Sequence, residues 1–93
     1  MHIHVEWDAA KAKLNRRKHG VGFDEAATVL FDPSGLSIED LSSFLESRWM
    51  LIGLSSRYRV LAVAYTLRRN DRVRIISARR ATKREIASYA KGI

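Results

Sequence analysis

Residues 48 to 80 constrain the fold most, because they have the pattern of an antiparallel meander. Arg48 to Leu54 and Val60 to Thr66 are apolar runs of strand length, rich in Val, Leu, Ile and aromatic residues, with a short polar link between them. A second polar reversal at residues 69–72 leads into a third run, Val73 to Arg79. We therefore expect three consecutive strands that pair as hairpins and need other elements to cover them.

The N-terminal segment predicts a strand and an exposed helix. Met1 to Trp7 alternates polar and apolar residues, which is typical of a short strand. Asp8 can accept hydrogen bonds from the first free amides of a helix from Ala9 to His19, and Gly20 can end that helix in a left-handed conformation. The helix is basic, so most of its surface should face solvent.

Two further helices are predicted by apolar residues at helical spacing. In the first of these the spaced residues are Phe23, Ala26, Ala27 and Leu30, before a turn at residues 32–35. Residues 36–46 are acidic and rich in serine, so we expect them to be mostly irregular, with at most a brief strand or turn. Near the C-terminus, Thr82 and Glu85 form a capping box for a helix whose apolar stripe is Ile86, Tyr89, Ala90 and Ile93.

This order of elements predicts an α+β fold, with an antiparallel sheet of about four strands, two N-terminal helices and one C-terminal helix. A chain of 93 residues forms one domain, which we place at residues 1–93. The N-terminus lacks the features of a signal peptide, and no apolar stretch approaches the length of a membrane span. We expect a cytoplasmic protein without membrane contact.

The positive charge of the chain is concentrated in its C-terminal part. The sequence has 17 Lys and Arg against 10 Asp and Glu, a net charge of +7. Residues 57–93 hold eleven basic and two acidic residues, which gives +9, whereas residues 32–56 hold one and four, which gives −3. A polyanionic partner is favoured, with RNA, DNA, an acidic protein or a membrane surface all open. The chain has no cysteine and no zinc-ligand spacing, so we expect neither a metal nor another cofactor.

Arginines dominate this basic part: Arg57, Arg59, Arg68, Arg69, Arg72, Arg74, Arg79 and Arg80. Strict alternation along the last strand places Arg74, Ala78 and Arg80 on one face of the sheet. Arg79 then lies on the other face, so one member of the Arg79 and Arg80 pair points to the helix-covered side. A guanidinium grips phosphate oxygens with two hydrogen bonds, which suits a nucleic-acid partner. A solvated surface with cross-strand ion pairs accounts for the same residues.

Other candidate side chains each have a structural interpretation as well. Lys18 and His19 stand where a helix C-terminus favours cations, yet histidine can move a proton and lysine can hold a phosphate. Tyr65 and Tyr89 can donate to phosphate or stack on a base, although core packing suits Tyr89. Glu46 and Arg48 can form a structural ion pair, or Arg48 can keep the Glu46 carboxylate ionised so that it acts as a base. The further candidates for the site are Glu46, Arg48 and Tyr65.

The segments "EWDAAKAKLNRRKHGVGFDEAATVLFDP", "ESRWMLIG", "VLAVAYTLR" and "RVRIISARRATKREIASY" resemble the BrnT family of toxins from bacterial type II toxin–antitoxin systems. The resemblance runs from Glu6 to Tyr89 in the family's order. Gly22 departs from it, since the family usually has serine there as a helix cap. The hairpin at residues 55–58 also lacks the family's usual glycine before an arginine.

The resemblance implies a fold similar to RelE-type ribonucleases and cytoplasmic RNA cleavage that inhibits translation. It also implies neutralisation by a BrnA-type antitoxin, and contact with operator DNA only through the complex of toxin and antitoxin. For metal-independent RNA cleavage, our hypothesis assigns phosphate stabilisation to Arg59, Arg68, Arg79 and Arg80. It assigns proton transfer and leaving-group contact to Lys18, His19 and Tyr89. The alternatives are a non-catalytic basic module that binds nucleic acid or protein, and a degenerate, inactive toxin.

Overall fold

A computed structural model describes residues 3–41, 47–69 and 71–92. The elements in these ranges are β1 (His4–Glu6), α1 (Ala9–His19), α2 (Phe23–Val29), β2 (Leu36–Asp40), β3 (Arg48–Leu54), β4 (Val60–Arg68), β5 (Arg72–Arg80) and α3 (Lys83–Lys91). The α+β class is confirmed, with two helices before the meander and one after it. None of the helices in these ranges is long and apolar enough to cross a membrane.

The five strands form one sheet in the order β1-β5-β4-β3-β2. The strands β2 to β5 pair antiparallel, as predicted for the meander, whereas β1 pairs parallel with β5. The extra strand is β2, which lies in the segment expected to be mostly irregular. Its residues are half-buried or exposed at the edge of the sheet, so they lack the strong apolar pattern that marks a central strand.

A β-bulge in β5 overturns the predicted strand alternation. The pairing steps from Ala64 opposite Ser77 to Tyr65 opposite Ile75, which leaves Ile76 as an extra residue. One extra residue shifts the alternation by one position, so Arg74 and Arg79 lie on the same face of the sheet. Strict alternation would place them on opposite faces. Arg79 and Arg80 do point to opposite faces, as predicted, because they pair with the consecutive β4 residues Ala62 and Leu61.

The hydrophobic core lies between the sheet and the pair α1 and α2. Its buried residues are Val21, Phe23, Ala26, Val29, Leu51, Leu61, Val63, Ile75 and Ala78. We call this side of the sheet the α1/α2 face. The other side carries Ile52, Ala62 and Arg79 and contacts α3, and we call it the α3 face.

The basic helix α1 is held on the sheet by a buried asparagine. Asn15 is 8% exposed, and its Nδ2 donates to the carbonyl oxygens of Val21 at 3.0 Å and Ala78 at 2.8 Å. Its Oδ1 accepts from the Ala78 N–H at 3.1 Å. As predicted, Asp8 caps the start of the helix and Gly20 ends it, with φ 70°. The helix is mostly exposed, as expected, and this polar contact attaches it to β5.

The predicted capping box starts α3, but the expected apolar stripe is not buried. The Thr82 hydroxyl accepts from the Glu85 N–H, and the Glu85 carboxylate accepts from the Thr82 N–H. No residue of α3 is fully buried, and Ile86 is 42% exposed. The predicted stripe residue Ile93 lies outside the described residues. The hydrogen bonds that Glu85 accepts from Arg79 and that Tyr89 donates to Asp32 therefore contribute to the position of α3.

Candidate functional site

One end of the sheet gathers six of the predicted site residues: Lys18, His19, Arg59, Arg79, Arg80 and Tyr89. At this end β3 finishes at Leu54, β4 begins at Val60 and β5 finishes at Arg80, and we call it the Arg80 end. The end of α1 reaches it, because Arg59 Nη2 donates to the carbonyl of Gly20, directly after His19, at 3.4 Å. The hairpin geometry thus brings together residues up to 71 positions apart in the sequence.

Arg59 is fixed by the buried carboxylate of Glu25, which is 7% exposed. Arg59 donates from Nε to Glu25 Oε2 at 3.0 Å and from Nη2 to Oε1, and the Ser55 hydroxyl donates to Oε2 at 2.7 Å. The hydrogen bond from Arg59 lowers the pKa of Glu25, partly opposed by burial. The ion-pair interpretation therefore describes Arg59 well, and the pair orients its guanidinium at the start of β4.

Arg79 is paired in a similar way with Glu85 on the α3 face. Its Nη1 donates to Glu85 Oε1 at 2.8 Å and its Nη2 to Oε2 at 3.0 Å. This hydrogen bonding lowers the pKa of Glu85 to about 2, against an opposing effect of burial. The contact joins the end of β5 to the first turn of α3.

Arg80 differs from both, because it has no ion-pair partner within residues 3–41, 47–69 and 71–92. It is exposed and lies on the α1/α2 face opposite Leu61. Arg59 has the same strand alternation as Leu61, so Arg59 and Arg80 reach the same corner of the sheet. Arg80 is thus placed to bind an external anion beside a cation that is already fixed.

Lys18 and His19 line a cavity between α1 and the bulged part of β5. The cavity has a volume of about 230 Å³ and is lined by Lys11, Leu14, Asn15, Lys18, His19, Ile76 and Ser77. His19 is half-buried and Lys18 is exposed. Two ammonium groups and an imidazole therefore surround one concave surface, which suits an anion that exchanges a proton.

The phenol of Tyr89 is occupied by a carboxylate. Its hydroxyl donates to Asp32 Oδ2 at 2.6 Å, and the Leu54 N–H donates to the same oxygen at 2.7 Å. This hydrogen bond, with some burial, raises the pKa of Tyr89. Because the single phenolic proton points at Asp32, Tyr89 is poorly placed to transfer a proton and well placed to hold α3 against the end of β3.

The remaining predicted residues that the structure describes lie away from the Arg80 end. Arg68 pairs with Arg72 at the opposite end of the hairpin. Arg72 and Arg80 are eight positions apart in β5, which at about 3.3 Å per residue is roughly 25 Å. Arg68 therefore cannot contact the same phosphate as Arg80.

Two further candidates do not join the site either. Arg48 pairs with Thr66 near the opposite end of the sheet, and the Tyr65 hydroxyl is 3.0 Å from the hydroxyl of Ser37 on the α1/α2 face. Glu46 lies outside the described residues, so the proposed contact between Glu46 and Arg48 stays a prediction.

Sequence reasoning missed three polar residues that hold the elements of the site together. Glu25 binds Arg59, Asp32 binds Tyr89, and Asn15 binds backbone groups of Val21 and Ala78. Glu25 carried a usable signal, since it directly precedes Ala26 in the helix predicted to bury one stripe. A carboxylate buried beside such a stripe requires a cation or hydroxyl partner. Asp32 and Asn15 gave no comparable signal, because their partners depend on the tertiary fold. Within the described parts of the chain, no three His, Asp or Glu side chains cluster as metal ligands would.

Comparisons with known proteins identify a family relationship. The family model for "Ribonuclease toxin, BrnT, of type II toxin-antitoxin system" matches residues 7–85. A similar solved structure is the 1.1 Å crystal structure of the Brucella abortus ribonuclease toxin, BrnT, with 24% sequence identity and a TM-score of 0.69. The alignment covers 88% of this chain and all of that one, and it shows a shared fold. No curated protein matches this sequence.

Proposed function

This chain belongs to the BrnT family of ribonuclease toxins of type II toxin–antitoxin systems, and we propose that its Arg80 end cleaves RNA without a metal ion. The observation that supports this site is the grouping of Arg59, Arg79 and Arg80 with the α1 end that carries Lys18 and His19. Carboxylates fix two of these arginines, whereas the exposed Arg80 has no ion-pair partner in the described ranges. A site of this kind can bind one phosphate in a defined orientation.

The proposed reaction is an internal transesterification. The ribose 2′-oxygen bonds to the adjacent phosphorus, the bond from phosphorus to the 5′-oxygen breaks, and the products carry a 2′,3′-cyclic phosphate and a 5′-hydroxyl. The proton of the 2′-hydroxyl passes to a base, and an acid supplies a proton to the leaving 5′-oxygen. Cations stabilise the extra negative charge on the phosphoryl oxygens in the transition state.

The structure supports a division of these tasks. Arg80 contacts the non-bridging phosphoryl oxygens, and the fixed guanidiniums of Arg59 and Arg79 add positive potential from either face of the sheet. His19 accepts the proton of the 2′-hydroxyl, and solvent water protonates the leaving 5′-oxygen. Lys18 contacts the phosphate beside His19, because Lys18 and His19 line the same cavity. Tyr89 contributes by holding α3 through Asp32 rather than by transferring a proton.

This proposal is tested by cleavage of a synthetic RNA of about twelve nucleotides. That length is well above the few phosphates that one site contacts. The purified protein should produce cyclic phosphate ends in the presence of a metal chelator. Loss of one charge-stabilising donor typically costs about 100-fold to 1000-fold in rate, so Arg80→Ala should fall by that factor. Lys13→Ala removes one exposed charge from the middle of α1 and should cleave like the parent protein. An Arg80→Ala protein that is folded and fully active would refute the assignment, and binding without cleavage by the parent would favour a non-catalytic module.

Growth arrest in cells gives a second measurement of the same site. Expression of the parent chain without its antitoxin should stop growth, and Arg80→Ala should relieve the arrest. Arg79→Ala should relieve it as well, but that change also removes the contact with Glu85 and so alters the attachment of α3. Arg80→Ala is therefore the cleaner variant. Normal growth under the parent chain at matched protein level would indicate a degenerate toxin.

The type II family implies an antitoxin protein as partner. We propose that a BrnA-type antitoxin in the cytoplasm covers the Arg80 end with an acidic segment, and that any contact with operator DNA is made by the antitoxin. The support is the charge of residues 57–93, which favours an acidic partner. Co-expression with the adjacent small reading frame should yield a complex that does not cleave RNA. A complex that forms equally well with Arg80→Ala at every salt concentration would contradict this surface.

A further inference from the structure

The end of the sheet opposite Arg80 carries a second group of cations. Arg68, Arg69, Arg72 and Arg74 line a cavity of about 460 Å³ together with a single carboxylate, that of Glu6. The formal charges of these five lining residues sum to +3. We call this group the Arg72 cluster. Nothing in the proposed cleavage chemistry uses it, because it lies roughly 25 Å from Arg80 at about 3.3 Å per residue of β5.

The Arg72 cluster places like charges directly opposite each other. Arg68 and Arg72 are direct cross-strand partners, and Arg74 is the next residue of β5 on the same face, opposite Thr66. Like charges directly opposite each other destabilise a sheet. Glu6 accepts from Arg74 Nη1 at 2.8 Å and lies 3.9 Å from Arg72 Nη1. Glu6 is thus shared between Arg72 and Arg74, and the Arg72 side chain is 58% exposed.

The β-bulge connects this cluster to the proposed cleavage site. Because Ile76 is an extra residue, Arg72, Arg74 and Arg79 all lie on the α3 face, opposite alternate residues of β4. Arg80 lies on the α1/α2 face, so a polyanion that follows β5 along the α3 face meets the Arg72 cluster at one end and Arg79 at the other. A stacked nucleic-acid strand advances about 3.4 Å per nucleotide, so about seven nucleotides separate the two ends.

We propose that the Arg72 cluster is a second phosphate-binding subsite, which holds the RNA backbone about seven nucleotides from the phosphate that is cleaved, at about 3.4 Å per nucleotide. This inference rests on the proposed function. Planar guanidiniums suit the cluster to phosphate oxygens, which they bind with two parallel hydrogen bonds. The cluster positions a long RNA and takes no part in bond cleavage.

The double variant Arg69→Ala/Arg72→Ala tests the proposal with least structural disturbance, because Arg74 keeps its bond to Glu6. Lys13→Ala/Arg17→Ala is the matched control, since it removes two exposed charges from α1. For a twelve-nucleotide RNA, the first variant should raise KM several-fold and leave kcat unchanged. For a trinucleotide, which cannot span the two ends, both variants should match the parent protein. Loss of two contacts to a single strand should also reduce the slope of log K against log salt concentration by about 1.4.

A non-cleavable 2′-deoxy strand of twelve nucleotides separates failure of this inference from failure of the proposed function. Its binding, followed by fluorescence anisotropy, should show the same loss of salt slope even if the parent protein cleaves no RNA. An unchanged slope and an unchanged KM would overturn the subsite. Equal loss of kcat on both RNA lengths would overturn it too, by showing that the cluster acts in cleavage or folding. If only antitoxin binding weakens, the Arg72 cluster is a protein-docking surface instead.

Discussion

At the residue scale, three carboxylates determine how the Arg80 end behaves. Glu25 holds Arg59, Glu85 holds Arg79, and Asp32 takes the hydrogen bond of Tyr89. Each pair joins two elements, so the carboxylates orient the site while they reduce its net charge. Arg80 keeps its full charge for an external phosphate, which is why the proposal depends on it most.

The pair of Glu85 and Arg79 predicts an acid dependence of stability. The pKa of Glu85 is lowered from 4.5 to about 2 in the folded chain, so its contribution to the free energy of unfolding is present above pH 4.5 and is lost as the pH falls towards 2. Glu85→Gln keeps the capping geometry but not the charge. Urea titrations should show that this variant is less stable at neutral pH and loses less stability than the parent protein across that window. Parallel curves for the two proteins would show that the pair contributes no pH dependence.

The position before Arg59 predicts a stabilising substitution. Tyr58 has φ 61° and is 85% exposed, and it lies in the hairpin that lacks the family's usual glycine. In the left-handed region a residue with a Cβ is strained by about 1 to 2 kcal/mol, and glycine removes this strain. Glycine also loses more conformational entropy on folding, which offsets about 0.5 to 1 kcal/mol of that stabilisation. Tyr58→Gly should therefore raise the free energy of unfolding by roughly 0.5 to 1 kcal/mol in urea denaturation. Tyr58→Val is the opposite control and should lower it; a loss with glycine would show that the tyrosine ring makes a stabilising contact.

Single residues also show what could be predicted from sequence. Asp8, Gly20 and the pair of Thr82 and Glu85 were predicted correctly, because helix caps depend on neighbours in the chain. The contact of Asn15 with Ala78 spans 63 residues and has no local signature. For the candidate site, the sequence predicted only which residues take part. Which of its arginines are paired with carboxylates depends on contacts that the tertiary fold creates.

At the element scale, the β-bulge in β5 has the largest consequence. It places the core residues Ile75 and Ala78 on one face although three positions separate them, and it places Arg74 and Arg79 together on the other. Apolar residues on both sides of the bulge fit either register, so the sequence pattern predicts the strand and not its interruption. The hairpins themselves were predictable because their turns and apolar runs are local.

The attachment of α1 gives a prediction for this element. Asn15→Ala removes three hydrogen bonds between α1, the segment after it and β5, and leaves buried backbone groups of Val21 and Ala78 without those partners. The free energy of unfolding should fall by about 1 to 3 kcal/mol, and the Ala78 amide should exchange its hydrogen faster. Arg17→Ala, an exposed change on the same helix, should leave both quantities unchanged. An Asn15→Ala protein of parent stability would show that apolar contacts alone position α1.

At the scale of the whole molecule, the arginines of β4 and β5 are divided between two ends of one sheet. The charge of each segment predicted that residues 57–93 carry the excess positive charge, but it did not divide their arginines into two groups. The fold separates Arg68 and Arg72 from Arg79 and Arg80 by the length of the hairpin. Long-range distance of this kind follows from strand pairing and cannot be obtained from composition.

The most direct test of the central claim is single-turnover cleavage of a twelve-nucleotide RNA in metal chelator, at protein concentrations that saturate binding. We predict that the parent protein and Arg69→Ala/Arg72→Ala cleave at the same rate, whereas folded Arg80→Ala is slower by about 100-fold or more. Equal rates for the parent protein and Arg80→Ala would contradict the assignment of cleavage to the Arg80 end.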